Sequence, residues 1–392
     1  MIGISKLYCG TVEASDPLRY GRHSKELPSH LLQFSSDKKP VVVWNCTAAC
    51  NLRCVHCYAS AGRLHAKNEL TKSQGFSLID DLKDYGSPVI LFSGGEPLMR
   101  EDLHELIDRA VKSKMRAVIS TNGTLITPDT AMRLSDYGLS YVGVSLDGLQ
   151  EVNDTFRGVQ GAFSDAMKGI YNAMHENIKV GLRFTMNRRN VSEIPKILDL
   201  MHREGIPRIC FYHLVYTGRA RELMEEDLSH EETRQTLDLI MDKTEEMIAA
   251  GRNVEVLTVD NHADGPYVYL RLKARRDPRA DEVLELLKMN GGNSSGLGIG
   301  CVNWDGEVYP DQFWRTKVMG TVRERPFSEI WEDRDNELLM QLKRKKEHVT
   351  GRCRTCRWLD VCGGNFRARA EAATGDVWGV DPACYLTDEE IS

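Results

Sequence analysis

No stretch of this sequence approaches the roughly 18 apolar residues of a membrane-crossing helix. The start, MIGISKLYCGTVEASDPLRYGRHS, also lacks the charged region and long apolar run of an export leader. A cytoplasmic protein with no membrane partner is expected. A basic stripe is missing as well: the formal net charge is −6, with lysines and arginines spread along the chain, so nucleic acid is not an expected partner. No close internal repeat is present, which excludes a solenoid. What the chain does have is eleven cysteines, an odd number. In a reducing compartment thiols serve as metal ligands or small buried hydrophobes more often than as disulfides.

At 392 residues the chain exceeds one average domain. Hydrophobic period and punctuation read as alternating strands and helices. The β-branched run VVVWN (41–45) suits a buried strand and delivers the chain into the crowded stretch CTAACNLRCVHCYAS (46–60). Thr71 with Gln74 predicts a capping box for a helix over 72–85 that stops at Gly86, before the strand PVILFS. The same step recurs. A helix over 101–114 precedes RAVIST, one starting at Pro128 behind Thr127 precedes YVGVSL, one over 161–177 precedes KVGLRFTM, and one over 191–205 precedes RICFYHL. Six strands alternating with helices predict an α/β fold with a parallel sheet, wound as a partial barrel whose ligand loops lie at the strands' carboxyl ends. Beyond residue 215, Ser229 and Glu232 predict a capped long helix, NVEVLTV a further strand, and NWDGEVYP a β-hairpin turning at Asp305-Gly306.

Cys50, Cys54 and Cys57 form C-x3-C-x2-C on the loop after the first strand, with Cys46 outside the pattern. Three thiolates would each ligate a different iron of a 4Fe-4S cluster and leave the fourth iron open for chemistry. The competing reading is a zinc knuckle completed by His56. Three further stretches follow at successive strand ends: SGGEP (93–97), STNGT (120–124) and VSLDG (144–148).

Taken together in this order, these motifs resemble those of radical S-adenosylmethionine (SAM) enzymes. The resemblance implies a (β/α)6 partial barrel and reductive cleavage of SAM to a 5′-deoxyadenosyl radical. It makes Cys50, Cys54 and Cys57 the ligands of the catalytic cluster. It further places Tyr58, Gly94, Gly95, Glu96, Asn122, Ser145 and Asp147 against SAM, with Glu96 accepting the methionyl ammonium and Tyr58 or His56 beside the adenine. The glycines would let the backbone approach the ligand closely.

The second cysteine set is Cys353-x2-Cys356-x5-Cys362, with Cys384 after a gap of 21 residues. Spacing alone allows a structural zinc or a second 4Fe-4S cluster. The arrangement resembles the SPASM module of radical SAM enzymes, which implies an auxiliary 4Fe-4S cluster on these four thiols. The SPASM pattern places another cysteine where this chain has Phe366, and Cys301 is left unassigned, so two clusters in all are expected. Cys9, Cys46 and Cys210 read as buried or incidental thiols, with Cys9 in a segment placed to cover the active site. Expected boundaries are 1–38 for an N-terminal segment covering the barrel, 39–260 for the barrel, and 261–392 for the auxiliary module.

Both ends of the chain, together with LPSHLLQF, KPVVVWN and CNLRCVHCYA, resemble the radical SAM enzymes of alternative haem and haem d1 biosynthesis. Within that group the N-terminal segment points to the branch that removes two acetate side chains from 12,18-didecarboxysiroheme to give iron-coproporphyrin III. The haem d1 branch is the runner-up, and a SPASM-type peptide maturase and an iron-sulfur carrier are the alternatives from other classes. One departure is NCTAAC, where the group has a basic pair before the first ligand. The implied partners are an acidic iron tetrapyrrole and an electron donor such as flavodoxin or ferredoxin. Arg19, Arg22, Arg183, Arg367 and Arg369 are candidates to bind the substrate carboxylates, because a guanidinium fork suits them. Tyr212 and His213 are expected at the same barrel mouth, with His213 also readable as a satisfied core histidine.

Overall fold

The computed structural model describes residues 1–12, 16 and 39–392. Arg19 and Arg22 lie outside the described residues, as does most of the expected N-terminal segment. The strands are β1 (Ile2–Gly3), β2 (Val41–Thr47), β3 (Val89–Gly94), β4 (Arg116–Thr121), β5 (Tyr141–Ser145), β6 (Val180–Met186), β7 (Arg208–His213), β8 (Glu255–Val259), β9 (Ile299–Val302), β10 (Glu307–Tyr309) and β11 (Gly320–Thr321). They join one sheet in the order β1-β8-β7-β6-β5-β4-β3-β2-β9-β10-β11. From β2 to β8 every neighbouring pair is parallel. This is the α/β winding that the alternation of elements predicts.

Period two along the strands separates the two faces. Val42, Trp44, Ile90, Phe92, Val142, Val144, Leu182 and Phe184 point into the main core shared with the helices. The opposite face carries small separate groups, such as Val89, Val118 and Tyr141, or Cys210, Leu257 and Val259. Side chains from each of β2 to β8 line cavities on this second face. A flat sheet cannot bring seven strands around one space, so the sheet is curled into an open barrel. Burial of each large outer-face side chain contributes roughly 1.5–3 kcal/mol.

The expected caps are present. Thr71 and Gln74 form a reciprocal capping box on Lys72–Tyr85, Ser229 and Glu232 form one on His230–Ala249, and Thr127 accepts from the Thr130 amide. Three of the helices without a counterpart in the sequence reading flank the barrel strands. Gln150–Arg157 follows β5, and Asp264–Ala274 and Ala280–Asn290 follow β8; none of the three has a side-chain N-cap. Without a cap signal, and with lengths of 8 to 11 residues, they depend on tertiary packing.

The hairpin at Asp305-Gly306 forms as expected, but it is not separate from the barrel sheet. β9 runs parallel to β2, pairing Val41 with Ile299 and Val43 with Cys301, and β10 and β11 extend the edge. At the other edge β1 pairs antiparallel with β8, and the helix Ile4–Cys9 packs on His230–Ala249. Cys9 therefore lies against outer helices, away from the barrel mouth that it was expected to cover. No helix among the described residues is long and apolar enough to cross a membrane.

Candidate active site

The cysteine loop is held by backbone before any ligand is considered. The Cys50 amide donates to the Gly62 carbonyl at 2.6 Å, Arg53 to Arg157 at 3.0 Å, and Val55 to Phe156 at 2.9 Å, so the end of Gln150–Arg157 braces the loop. Arg219 donates from its amide to the Cys57 carbonyl at 3.0 Å, from Nε to the Cys54 carbonyl at 2.7 Å, and from Nη1 to the Ala61 carbonyl at 3.0 Å. Gly95 donates to Thr47 at 2.8 Å and Glu96 to Ala49 at 2.7 Å. A Cβ on Gly95 would stand 2.1 Å from the Ala49 carbonyl oxygen, and one on Gly94, at φ +129°, 2.5 Å from that of Thr47. The glycine pair thus serves the approach of the cysteine loop itself.

Cys50, Cys54, Cys57, Tyr58, Gly94, Gly95, Asn122 and Ser145 border one cavity of about 150 Å³ at the carboxyl ends of the strands. Tyr58 donates to Asn45 at 2.9 Å, and its hydroxyl lies 3.0 Å from that of Ser93. Asn122 donates to Asn51 at 2.8 Å and accepts from Thr124.

Glu96 and Asp147, both expected against SAM, do not border this cavity. Glu96 is wholly buried; its oxygens accept from the Thr121 hydroxyl at 2.6 Å, the Asn122 amide at 2.8 Å and the Leu98 amide at 3.1 Å. It latches the β3 loop to the β4 loop, and burial pushes its carboxyl up. Asp147 is also wholly buried, accepting from Arg157, from His56 Nε2 at 3.1 Å and from the Thr185 amide at 2.8 Å. Burial works to raise this carboxyl, but Arg157 and His56 outweigh it and hold it down to about 2. Asp147 is therefore an anchor for Arg157, whose Nη1 donates to Cys54 Sγ at 3.5 Å. Arg157 and Arg219 were missed because nothing in their local sequence marks them; the fold alone brings them to the loop.

The donor set fits a cluster better than a single ion. Among the described residues no three of His, Cys, Asp and Glu are gathered closely enough for one metal ion, whereas a cubane needs each thiolate at its own iron. His56, the expected zinc ligand, is engaged by Asp147. Nitrogen donors already address the sulfurs: Leu52 N reaches Cys50 Sγ at 3.4 Å and Arg157 reaches Cys54, the kind of contact that tunes a cluster.

The second set sits on the turn Gly351–Cys353, the helix Leu359–Cys362 and the loop before Asp388–Ile391. Burial, with Cys384 and Cys353 adjacent, pushes the Cys362 thiol well up. Two buried cations stand beside it. Lys345, 4% exposed, has the Asn293 side chain as its hydrogen-bond acceptor at 3.4 Å, and Arg367, wholly buried, donates to the carbonyls of Gly364, Val377 and Gly379. Neither makes an ion pair among the described residues. Buried cations of this kind call for an anion, and a four-thiolate cluster supplies one. Phe366, where the SPASM pattern has a ligand, packs on Phe313 at 5.8 Å in an apolar group with Val215, Trp314 and Leu342. Cys301 is wholly buried against Val43 and Tyr309, Cys46 donates to the Ser93 carbonyl at 3.4 Å, and Cys210 is buried in the barrel wall.

Arg367 and Arg369 do not reach a substrate space as expected. Arg369 is wholly buried and bound to Asp381, Leu214 and Asp260. Both guanidiniums donate to the chain itself and act as struts, Arg367 through Nη1 and Nη2 alone. His213 pairs with Asp264 at 3.0 Å, the satisfied reading, while also bordering the cavity with Tyr212. Arg183 does face the cavity and makes no ion pair among the described residues.

Comparison with known proteins agrees with this architecture. Residues 44–201 match the radical SAM superfamily and 298–357 the SPASM iron-sulfur cluster-binding domain. The chain is 63% identical to Fe-coproporphyrin III synthase of Methanosarcina barkeri, over 100% of this chain and 99% of that one. It is 40% identical to pre-heme d1 synthase of Dinoroseobacter shibae, over 90% of this chain and 87% of that one. In fold it is like the structure of native anSMEcpe with bound AdoMet and Cp18Cys peptide, with a TM-score of 0.67 and 20% identity over 88% of this chain and 94% of that one.

Proposed function

Because the chain belongs to the radical SAM enzymes of the alternative haem group and carries a SPASM iron-sulfur domain, we propose that it removes the two acetate side chains of 12,18-didecarboxysiroheme to give iron-coproporphyrin III. The observation that carries this reading is the 63% identity to Fe-coproporphyrin III synthase across the whole chain. The 40% identity to pre-heme d1 synthase supports the haem d1 branch less.

In this reading Cys50, Cys54 and Cys57 hold the catalytic 4Fe-4S cluster, and Cys353, Cys356, Cys362 and Cys384 the auxiliary one. Tyr58, Gly94, Gly95, Asn122 and Ser145 border the space for SAM. Reductive cleavage of SAM supplies a 5′-deoxyadenosyl radical that abstracts hydrogen from the substrate. The chain's own part is positional: Arg157 and Arg219 fix the cysteine loop, Glu96 and Asp147 fix the loops facing it, and the barrel wall excludes water. We assign 39–260 to the barrel, with the auxiliary module from 261 onward sharing its sheet. A flavodoxin or ferredoxin delivers the electron in the cytoplasm.

The test is anaerobic incubation of the reconstituted protein with SAM, dithionite and 12,18-didecarboxysiroheme, following the tetrapyrrole mass. Loss of two acetate units alongside 5′-deoxyadenosine is expected. SAM cleavage with an unchanged tetrapyrrole would move the substrate to the haem d1 branch or to peptides.

A further inference from the structure

Below the cysteine-lined cavity the barrel interior continues into a second cavity, of about 340 Å³, at the amino ends of the strands. Arg183, Tyr212, Val43, Leu91, Gln312 and Phe313 border both spaces, so one lumen runs from the cysteine loop downward. Its lower part has an apolar wall of Val41, Val89, Leu91 and Val118 and, beside it, three guanidiniums: Arg116 from β4, Arg183 from β6 and Arg208 from β7.

Inward-facing arginines are costly unless something uses them. Arg208 is paired with Glu255 at 3.3 Å, lies over the Tyr141 ring at 5.1 Å and meets the Cys210 side chain, while its buried Nε has no hydrogen-bond partner among the described residues. Arg116 has the Ser140 hydroxyl at 3.0 Å. Arg183 lies over Tyr212 at 5.8 Å and, among the described residues, has no ion pair and a buried Nε without a partner. Burial and Arg208 both pull the Arg116 guanidinium down, whereas Tyr212, Tyr141 and Cys210 together outweigh burial at Arg183, and Cys210, Tyr141 and Glu255 together outweigh it at Arg208, so those two are pushed up. On the facing wall, burial pushes Asp260 up to about 7 and Asp311 upward, so these two carboxyls do little to balance the arginines.

The backbone has been shaped for this arrangement. Gly143 and Gly181 are paired across β5 and β6 on the inward face. A Cβ on Gly143 would stand 2.3 Å from Arg183 Nε, and one on Gly181 2.1 Å from the Tyr141 hydroxyl. Adjacent glycines inside two central strands weaken the sheet; here they make the floor on which Arg183 and Tyr141 lie.

We propose that Arg116, Arg183 and Arg208 form a carboxylate-binding chamber that holds the surviving propionates of the tetrapyrrole, with the apolar wall against the macrocycle. This rests on the tetrapyrrole reading above. The groups that react must face the cysteine end, so the carboxylates at the amino ends of the strands are those the reaction leaves in place. An arginine fork is the donor that suits them.

The test is titration of the cluster-loaded enzyme, followed at the Soret band, with 12,18-didecarboxysiroheme, with iron-coproporphyrin III and with its tetramethyl ester. The two acids are expected to bind with Kd values within a few-fold of each other, since both keep the propionates, and the ester at least about tenfold more weakly. The double variant Arg116→Gln with Arg208→Gln is expected to raise Kd for both acids by about tenfold or more. The ester comparison uses the wild-type protein and stands even where the variant fails to fold. Equal binding of acid and ester, or wild-type affinity in the double variant, overturns the chamber alone. Failure of the wild-type enzyme to bind any of the three overturns the chamber together with the tetrapyrrole reading.

Discussion

The two cysteine sets are built on opposite plans. The first lies on one loop, three thiols within eight residues, open on a cavity, its shape maintained by hydrogen bonds to its carbonyls from Arg219 and from its amides to the end of a neighbouring helix. The second draws its four thiols from separate stretches of the chain, two of them buried and none bordering the barrel cavities, and keeps two basic side chains, Lys345 and Arg367, beside it without a carboxylate partner among the described residues. Three thiols beside a cavity would leave one iron of a cluster open to a ligand, whereas four thiols would fill every iron. Polar support follows the same division, carbonyl clamps where a loop must keep its shape and compensating charge where an anion must stay buried.

Removing one thiol from each set would test this contrast most severely. Cys54→Ser is expected to abolish 5′-deoxyadenosine formation and leave the auxiliary cluster's absorption. Cys384→Ser is expected to retain SAM cleavage and lose tetrapyrrole conversion. Iron content and liquid chromatography with mass detection read both, and unimpaired conversion by the second variant without its auxiliary cluster would erase the distinction. Arg157→Gln should come next in size. It leaves Asp147 charged and buried without its main partner, a loss of about 3–5 kcal/mol that thermal unfolding would register. The same change removes the donor to Cys54, so the electron paramagnetic resonance signal of the first cluster should move while that of the second does not. An unchanged melting temperature would count against the anchoring role. The smallest effect belongs to Lys345→Met. Removing a cation beside a cluster that gains an electron should lower its reduction potential by on the order of 50 mV, the size of a roughly 1 kcal/mol charge interaction. A potential titration that finds no shift would make Lys345 an inert passenger.

Much of the site was legible in the chain. The spacing at 50, 54 and 57, the three motifs at strand ends and the capping boxes at Thr71 and Ser229 are local patterns, and local patterns survive translation into structure because they depend on neighbours in sequence. Roles of single residues were less legible. Glu96 and Asp147 are acidic residues in motifs expected to bind SAM, and each carboxylate accepts from the chain itself, because a buried carboxylate is satisfied by whichever donors the fold brings nearest. Arg367 and Arg369 stand two apart in a matched segment, and burial turned both into struts. Arg219 reaches across 165 residues to the Cys54 carbonyl, a distance no motif spans.

The sequence by itself determined the alternation of strands and helices between residues 41 and 213 and the cysteines that face iron in the proposed reading, which are written in short-range spacing, and its motifs carried the resemblance that implied the superfamily chemistry. Only the tertiary structure decided that the hairpin near residue 301 extends the barrel sheet, that Arg157 and Arg219 reach the cysteine loop, and that Arg116, Arg183 and Arg208 share one lumen. These arginines come from strands and helices far apart in the chain. Whether a cation ends at a ligand, at a carboxylate or at a carbonyl is set by burial and by what lies within hydrogen-bond reach, and both exist only once the barrel has curled.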